Sequence, residues 1–109
     1  MDRVLEKAIE TYGKENQVDV AIEEMSELTK ALTKMNRCLR SGKGDYNYFR
    51  VAIAEEIADV EVMLEQLKMI YNCTEAVMGI KALKMTRLEA RLGMREFKER
   101  LDEESEEEN

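Results

Sequence analysis

The chain has no histidine, no proline and no tryptophan. Without histidine, a serine triad, a Cys-His nucleophile, a histidine-bearing zinc site and a Glu-x-x-His di-iron site are all excluded. Without proline, and with only 5 glycines in 109 residues, little of the punctuation of strands and turns is present. The two cysteines, Cys38 and Cys73, stand far apart in helical patterns. They read as buried free thiols of a cytoplasmic protein, not as a disulfide or a close C-x-x-C pair. No apolar run is long enough to span a bilayer, and the opening residues MDRVLEKAIE lack the apolar stretch of a signal peptide. A cytoplasmic location without a membrane partner is the expectation.

What remains is rich in helix formers. Apolar residues make up 44% of the chain and charged residues 38%, mostly Glu, Lys and Arg, so an all-α domain is favoured. The length suits one domain rather than two. The net charge of -7 is carried mainly by the last eight residues, DEESEEEN, which hold six acids and no base. Residues 102–109 are therefore expected to be a disordered acidic tail, and residues 1–101 a single helical domain close to neutral. A domain without basic excess is a poor partner for nucleic acid. Basic residues nevertheless concentrate between Lys81 and Arg100, seven of them against three acids.

Four helices follow from the pattern. The first runs from about Asp2 to Tyr12 and stops at Gly13. The second, capped by Asn16, carries an apolar stripe of Val18, Ala21, Ile22, Met25, Leu28, Leu32, Met35 and Leu39 and ends at Ser41-Gly42. The third, capped by Asp45, runs from Tyr46 to Asn72 with Phe49, Ile53, Ile57, Val60, Leu64, Leu67 and Tyr71 as its stripe. The fourth, capped by Thr74, runs from Glu75 to about Leu101. Long amphipathic helices with short connections give a four-helix-type antiparallel bundle, completed by dimerisation or higher assembly.

Several carboxylates stand on apolar rows. On the third helix, with Val60 at zero, Glu56 falls at about -40° and Asp59 at about -100°, beside Ala52, Met63 and Ile70. Glu55, Glu61, Glu65 and Lys68 lie on a solvated face instead. On the second helix Glu24 and Glu27 share a row with Val20, Ala31 and Cys38, and Glu23 lies one step off it. That helix therefore has two faces to bury. Buried carboxylates that repel one another require a positive partner. Neither 18–28 nor 51–67 contains a Lys or Arg. A divalent cation is one answer, and oxygen-only ligands favour Mg²⁺ or Mn²⁺. Pairing with Lys81, Lys84, Arg87 or Arg91 is the other. On the fourth helix Lys84, Arg87 and Arg91 form a basic edge suited to polyphosphate, or simply a solvated margin of the apolar row.

E-E-M-S-E at 23–27 followed by E-I-A-D at 56–59 is an E-E-x-x-E … E-x-x-D pattern. With it, from about Gln17 to Arg91, the chain resembles the all-α nucleoside triphosphate pyrophosphohydrolases, the MazG-like group with its dimeric dUTPase and dCTP pyrophosphatase relatives. The resemblance implies Mg²⁺ ligation by Glu24, Glu27, Glu56 and Asp59, with Glu23 in support among the catalytic acids. It implies phosphate binding by Lys84 and Arg87, to which the basic edge adds Arg91. It also implies a homodimer or homotetramer. The missing tryptophan and histidine are residues that some members use around the base, so Tyr46, Tyr48 and Phe49 stand as candidates for stacking.

The expected activity is Mg²⁺-dependent cleavage of a nucleoside triphosphate between the α- and β-phosphates, giving a nucleoside monophosphate and pyrophosphate. Two other classes stay open at this stage: a non-catalytic helical binding module, and a related phosphoribosyl-ATP or nucleotide-sugar pyrophosphatase.

Overall fold

A computed structural model describes residues 2–108, and they form four helices: α1 (Asp2–Tyr12), α2 (Lys14–Ser41), α3 (Tyr46–Ile70) and α4 (Thr74–Glu108). No strand occurs among the described residues, so the chain is all-α. None of the helices is long and apolar enough to cross a membrane. The chain divides into two units, α1–α3 and α4.

The first unit is built on an antiparallel α2–α3 hairpin, with α1 packed against both helices. Its connection is fixed by local chemistry. Gly42 adopts a left-handed conformation (φ 68°) and its N–H donates to the Cys38 carbonyl, which terminates α2. Gly44 (φ 108°) lies so close to Phe49 that a Cβ there would stand 3.1 Å from the ring. Asp45 then caps α3, as expected: its Oδ1 accepts from the backbone N–H of Asn47 at 3.0 Å and of Tyr48 at 3.3 Å.

α1 spans Asp2–Tyr12 and stops at Gly13 as expected, but the start of α2, the end of α3 and both ends of α4 differ from the sequence reading. Only Gly13 separates α1 from α2, so Asn16 lies inside α2 and caps nothing. α3 ends at Ile70, with Asn72 in left-handed backbone (φ 48°). Thr74 is the first residue of α4 rather than its cap. The helix runs on to Glu108, through the segment expected to be disordered. Glutamate is a good helix former, and no proline or glycine follows Gly93 to stop it.

The hairpin buries a narrow seam. On α2, Gln17, Glu24, Ala31 and Cys38 recur once in seven residues along one row. On α3, Ala52, Asp59 and Gln66 do the same. Gln17 Nε2 donates to Gln66 Oε1 at 2.7 Å, both side chains buried, and this bond sets the register. In that register Glu24 falls opposite Asp59 and Ala31 opposite Ala52. Ala21, Met35, Val60 and Met63 pack beside the seam. Small residues facing one another let the two helices approach closely.

The stripe expected on α3 is therefore off-centre. The packed face is centred on Met63, about 60° from Val60. Ile57, Leu64 and Tyr71 stay exposed. On α2 the acid-bearing row is the packed one, and Ile22, Met25, Leu32 and Leu39 stay exposed. Of the two faces expected to be buried on α2, the acid-bearing one packs on α3, while the apolar stripe is buried only at Ala21 and Met35.

The buried amide pair is a specific test of the register. Gln66→Leu strands the Gln17 amide and is expected to cost about 1–3 kcal/mol in urea denaturation. Replacing both glutamines by Leu should recover most of that loss. A single substitution without effect would mean that the two amides do not meet.

Candidate metal centre

Two turns along the hairpin from the glutamine pair, one carboxylate oxygen each from Glu24, Glu56 and Asp59 lie within 4.8 Å of one another. The folding rule that brings them together is simple. Glu24 sits seven residues after Gln17 on α2, and Asp59 seven before Gln66 on α3. An antiparallel register that joins the amides must also join the acids. Glu56, one turn before Asp59, reaches the same point from α3. Glu24 and Glu56 are half-buried and Asp59 is exposed, so the cluster lies at the margin of the seam and opens to solvent.

No basic side chain of α1–α3 lies within 4.0 Å of these three carboxylates among the described residues. The Glu24 carboxyl is held above its ordinary pKa, first by its partial burial and then by the charges of Asp59, Glu56, Glu23 and Glu27. Repulsion from the neighbouring acids thus adds to the effect of burial at Glu24.

The sequence-derived site residues separate into three groups. Glu24, Glu56 and Asp59 converge. Glu27, half-buried one turn further along α2, is outside that group and pairs instead with Lys30 at 3.4 Å. Glu23 is exposed. Both still lie near enough to raise the Glu24 pKa. Lys84, Arg87 and Arg91 belong to α4, where with Met85, Leu88 and Ala90 they line an open hollow on the surface of that helix. Tyr48 and Phe49 meet edge to face at 5.6 Å near the hairpin connection, about 16 Å along α3 from Asp59. Gln66 was overlooked as a determinant of the site. Its signal was its place seven residues after Asp59, on the same row.

The donors suit a hard cation. Two oxygens on opposite sides of a bound Mg²⁺ are about 4 Å apart, and about 5 Å apart around Ca²⁺. Carboxylates already within 4.8 Å need only small rotations to share one ion. Three monodentate groups leave further positions for water or for phosphate oxygens. Compared with family models, with curated proteins and with solved structures, the chain matches none.

The raised Glu24 pKa carries a sign that can be checked without metal. A native state that holds this proton more tightly than the unfolded chain has the full contribution below the ordinary carboxylate range. It loses that contribution as pH rises through the raised value. In chelator, Glu24→Gln should therefore melt above wild type at neutral pH, and the gap should close in acid. Glu61→Gln, on the exposed face of α3, should show no such gap. A Glu24→Gln protein that melts lower than wild type at neutral pH would contradict mutual repulsion in the cluster.

Proposed function

We propose that the chain is a Mg²⁺-dependent nucleoside triphosphate pyrophosphohydrolase, cleaving between the α- and β-phosphates to release a nucleoside monophosphate and pyrophosphate. The observation that carries this reading is the meeting of Glu24, Glu56 and Asp59 across the α2–α3 hairpin. It is supported by the E-E-x-x-E … E-x-x-D pattern that contains them and by the resemblance drawn from it.

In this reading Glu24, Glu56 and Asp59 hold the cation, and Glu27 joins them by leaving Lys30 and rotating inward. Bound Mg²⁺ neutralises phosphate charge and lowers the pKa of a water. The chain supplies the rest. With no histidine present, a carboxylate of this group accepts the proton of the attacking water. Glu23 supports the acids from the exposed edge of α2. The resemblance implies a phosphate-binding role for Lys84 and Arg87, and the basic edge of α4 extends it to Arg91. Mn²⁺ substitutes for Mg²⁺, because both accept carboxylate and water oxygens.

Three measurements test this. A panel of nucleoside triphosphates, assayed for pyrophosphate with Mg²⁺ or Mn²⁺, should show turnover with at least one. The same panel should include phosphoribosyl-ATP, which also releases pyrophosphate, and nucleotide sugars, whose cleavage is read as nucleoside monophosphate and sugar phosphate. Asp59→Asn and Glu24→Gln should abolish release with the helical content retained, while Glu61→Gln should stay near wild type. Arg87→Ala should lower turnover by about two to three orders of magnitude, the scale of one lost charge-stabilising donor, and leave cation binding intact. Absence of cleavage of every substrate, with the fold intact, would favour a non-catalytic helical module.

A further inference from the structure

The acids of the α2–α3 hairpin carry more charge than one divalent ion offsets. Glu24, Glu56 and Asp59 converge, and Glu23 and Glu27 lie near enough to act on Glu24. A nucleoside triphosphate bound through the ion adds further negative charge, so positive side chains have to stand beside it. Within the hairpin the choice is narrow. Neither 18–28 nor 51–67 holds a Lys or Arg. Arg50 and Lys68 each stand nine residues from Asp59, about two and a half turns away and on the opposite face of α3. Lys34 is a further turn from the acids and forms no ion pair among the described residues. Lys30 remains. It follows Glu27 by three residues, on the row of α2 that also carries Glu23, and its Nζ lies 3.4 Å from Glu27 Oε1.

We propose that Lys30 is a phosphate-binding residue that exchanges partners: it holds Glu27 before the cation arrives and a phosphate oxygen of the substrate once Glu27 has joined the ion. The exchange rests on the catalytic reading above and adds a residue to it. The ion pair is of a kind that breaks readily. Its side chains are 67% and 45% exposed, and 3.4 Å is long for a charge-assisted bond, so it contributes little to the fold. A Glu27 that turns to the cation leaves Lys30 charged and unpaired about one turn from it. Three monodentate carboxylates leave coordination positions for phosphate oxygens at that ion. A lysine ammonium carries three donors on a flexible stem, so it moves from carboxylate to phosphate without a fixed geometry to satisfy. The consequence is a pair of effects of opposite sign. Removing Lys30 frees Glu27 and takes a positive charge from beside the cation, so the ion binds more tightly. The same change takes a contact from the phosphates, so they bind more weakly. A lysine that only solvates α2 has neither effect, and one that props up the site weakens both ligands.

Two titrations on the full chain decide this. Mn²⁺ alone is followed by the loss of its free-ion resonance, and inorganic tripolyphosphate is followed by calorimetry at saturating Mg²⁺. Lys30→Ala should bind Mn²⁺ about threefold more tightly than wild type, the scale of one exposed ion pair released. It should bind tripolyphosphate about tenfold more weakly, the scale of one lost hydrogen bond to a charged group. Lys30→Arg keeps the charge and should stay near wild type in both titrations. Lys43→Ala removes the same charge from the connection between α2 and α3 and should change neither. Circular dichroism should show the same helical content throughout, because Lys30 and Lys43 are both exposed. Tripolyphosphate binding that Lys30→Ala leaves unchanged, an equal loss from Lys43→Ala, or a Lys30→Ala protein that binds both ligands more weakly would each overturn the exchange. Those results leave the catalytic reading standing, since wild type still takes up both ligands. A wild type that binds neither Mn²⁺ nor tripolyphosphate would contradict the catalytic reading itself, and the exchange falls with it.

Discussion

Like charges brought together across a helical hairpin are the constraint on which the rest of the first unit depends. Glu24 on α2 and Glu56 and Asp59 on α3 share one small volume without a Lys or Arg of α1–α3 in contact. Such an arrangement opposes the packing of the two helices. It is held by the seam around it: a buried amide pair two turns away on one side, small residues on the other, and a glycine-closed connection beyond them. The energy of the hairpin is spent partly on keeping acids close. A hard cation, as proposed above, would relieve that repulsion.

The same register explains why the candidate site has the composition it has. Position along α2 fixes which α3 residue is met, so a single bond between Gln17 and Gln66 also determines that Glu24 meets Asp59. The site is thus built on two rigid helices rather than on a loop, and it needs no strained backbone. Left-handed residues occur at Gly13, Gly42, Gly44 and Asn72, all in connections between helices. Glu27 shows the limit of the rule. It shares the inward row approximately, yet a turn further along it meets Lys30 of its own helix sooner than an acid of α3.

Much of this was legible in the sequence. An all-α chain follows from the absence of proline and the wealth of Glu, Lys and Arg. Glu24, Glu56 and Asp59 stood out because they lie among alanine, valine and cysteine instead of among charges. The cap at Asp45 and the stop at Gly42 were legible for the same local reason, a side-chain oxygen and a residue free to turn left-handed. The packed face of α3 was not. Ile57, Leu64 and Tyr71 fit the same helical period as Val60, and period alone does not say which of two adjoining faces meets the neighbouring helix. The helix α4 extends beyond Leu101, where it was expected to end, because glutamate favours helix and no glycine or proline follows Gly93.

The direct test of a shared cation is to count it. Free Mn²⁺ gives a sharp electron paramagnetic resonance signal that broadens beyond detection when the ion is bound by protein. Titrating Mn²⁺ into the metal-free chain should remove signal until each chain has taken up one ion. Added Mg²⁺ should return it, and Asp59→Asn should leave the signal almost undiminished. A free-ion signal that follows total Mn²⁺ from the first addition, or equal uptake by wild type and Asp59→Asn, would show that the three carboxylates do not hold a cation.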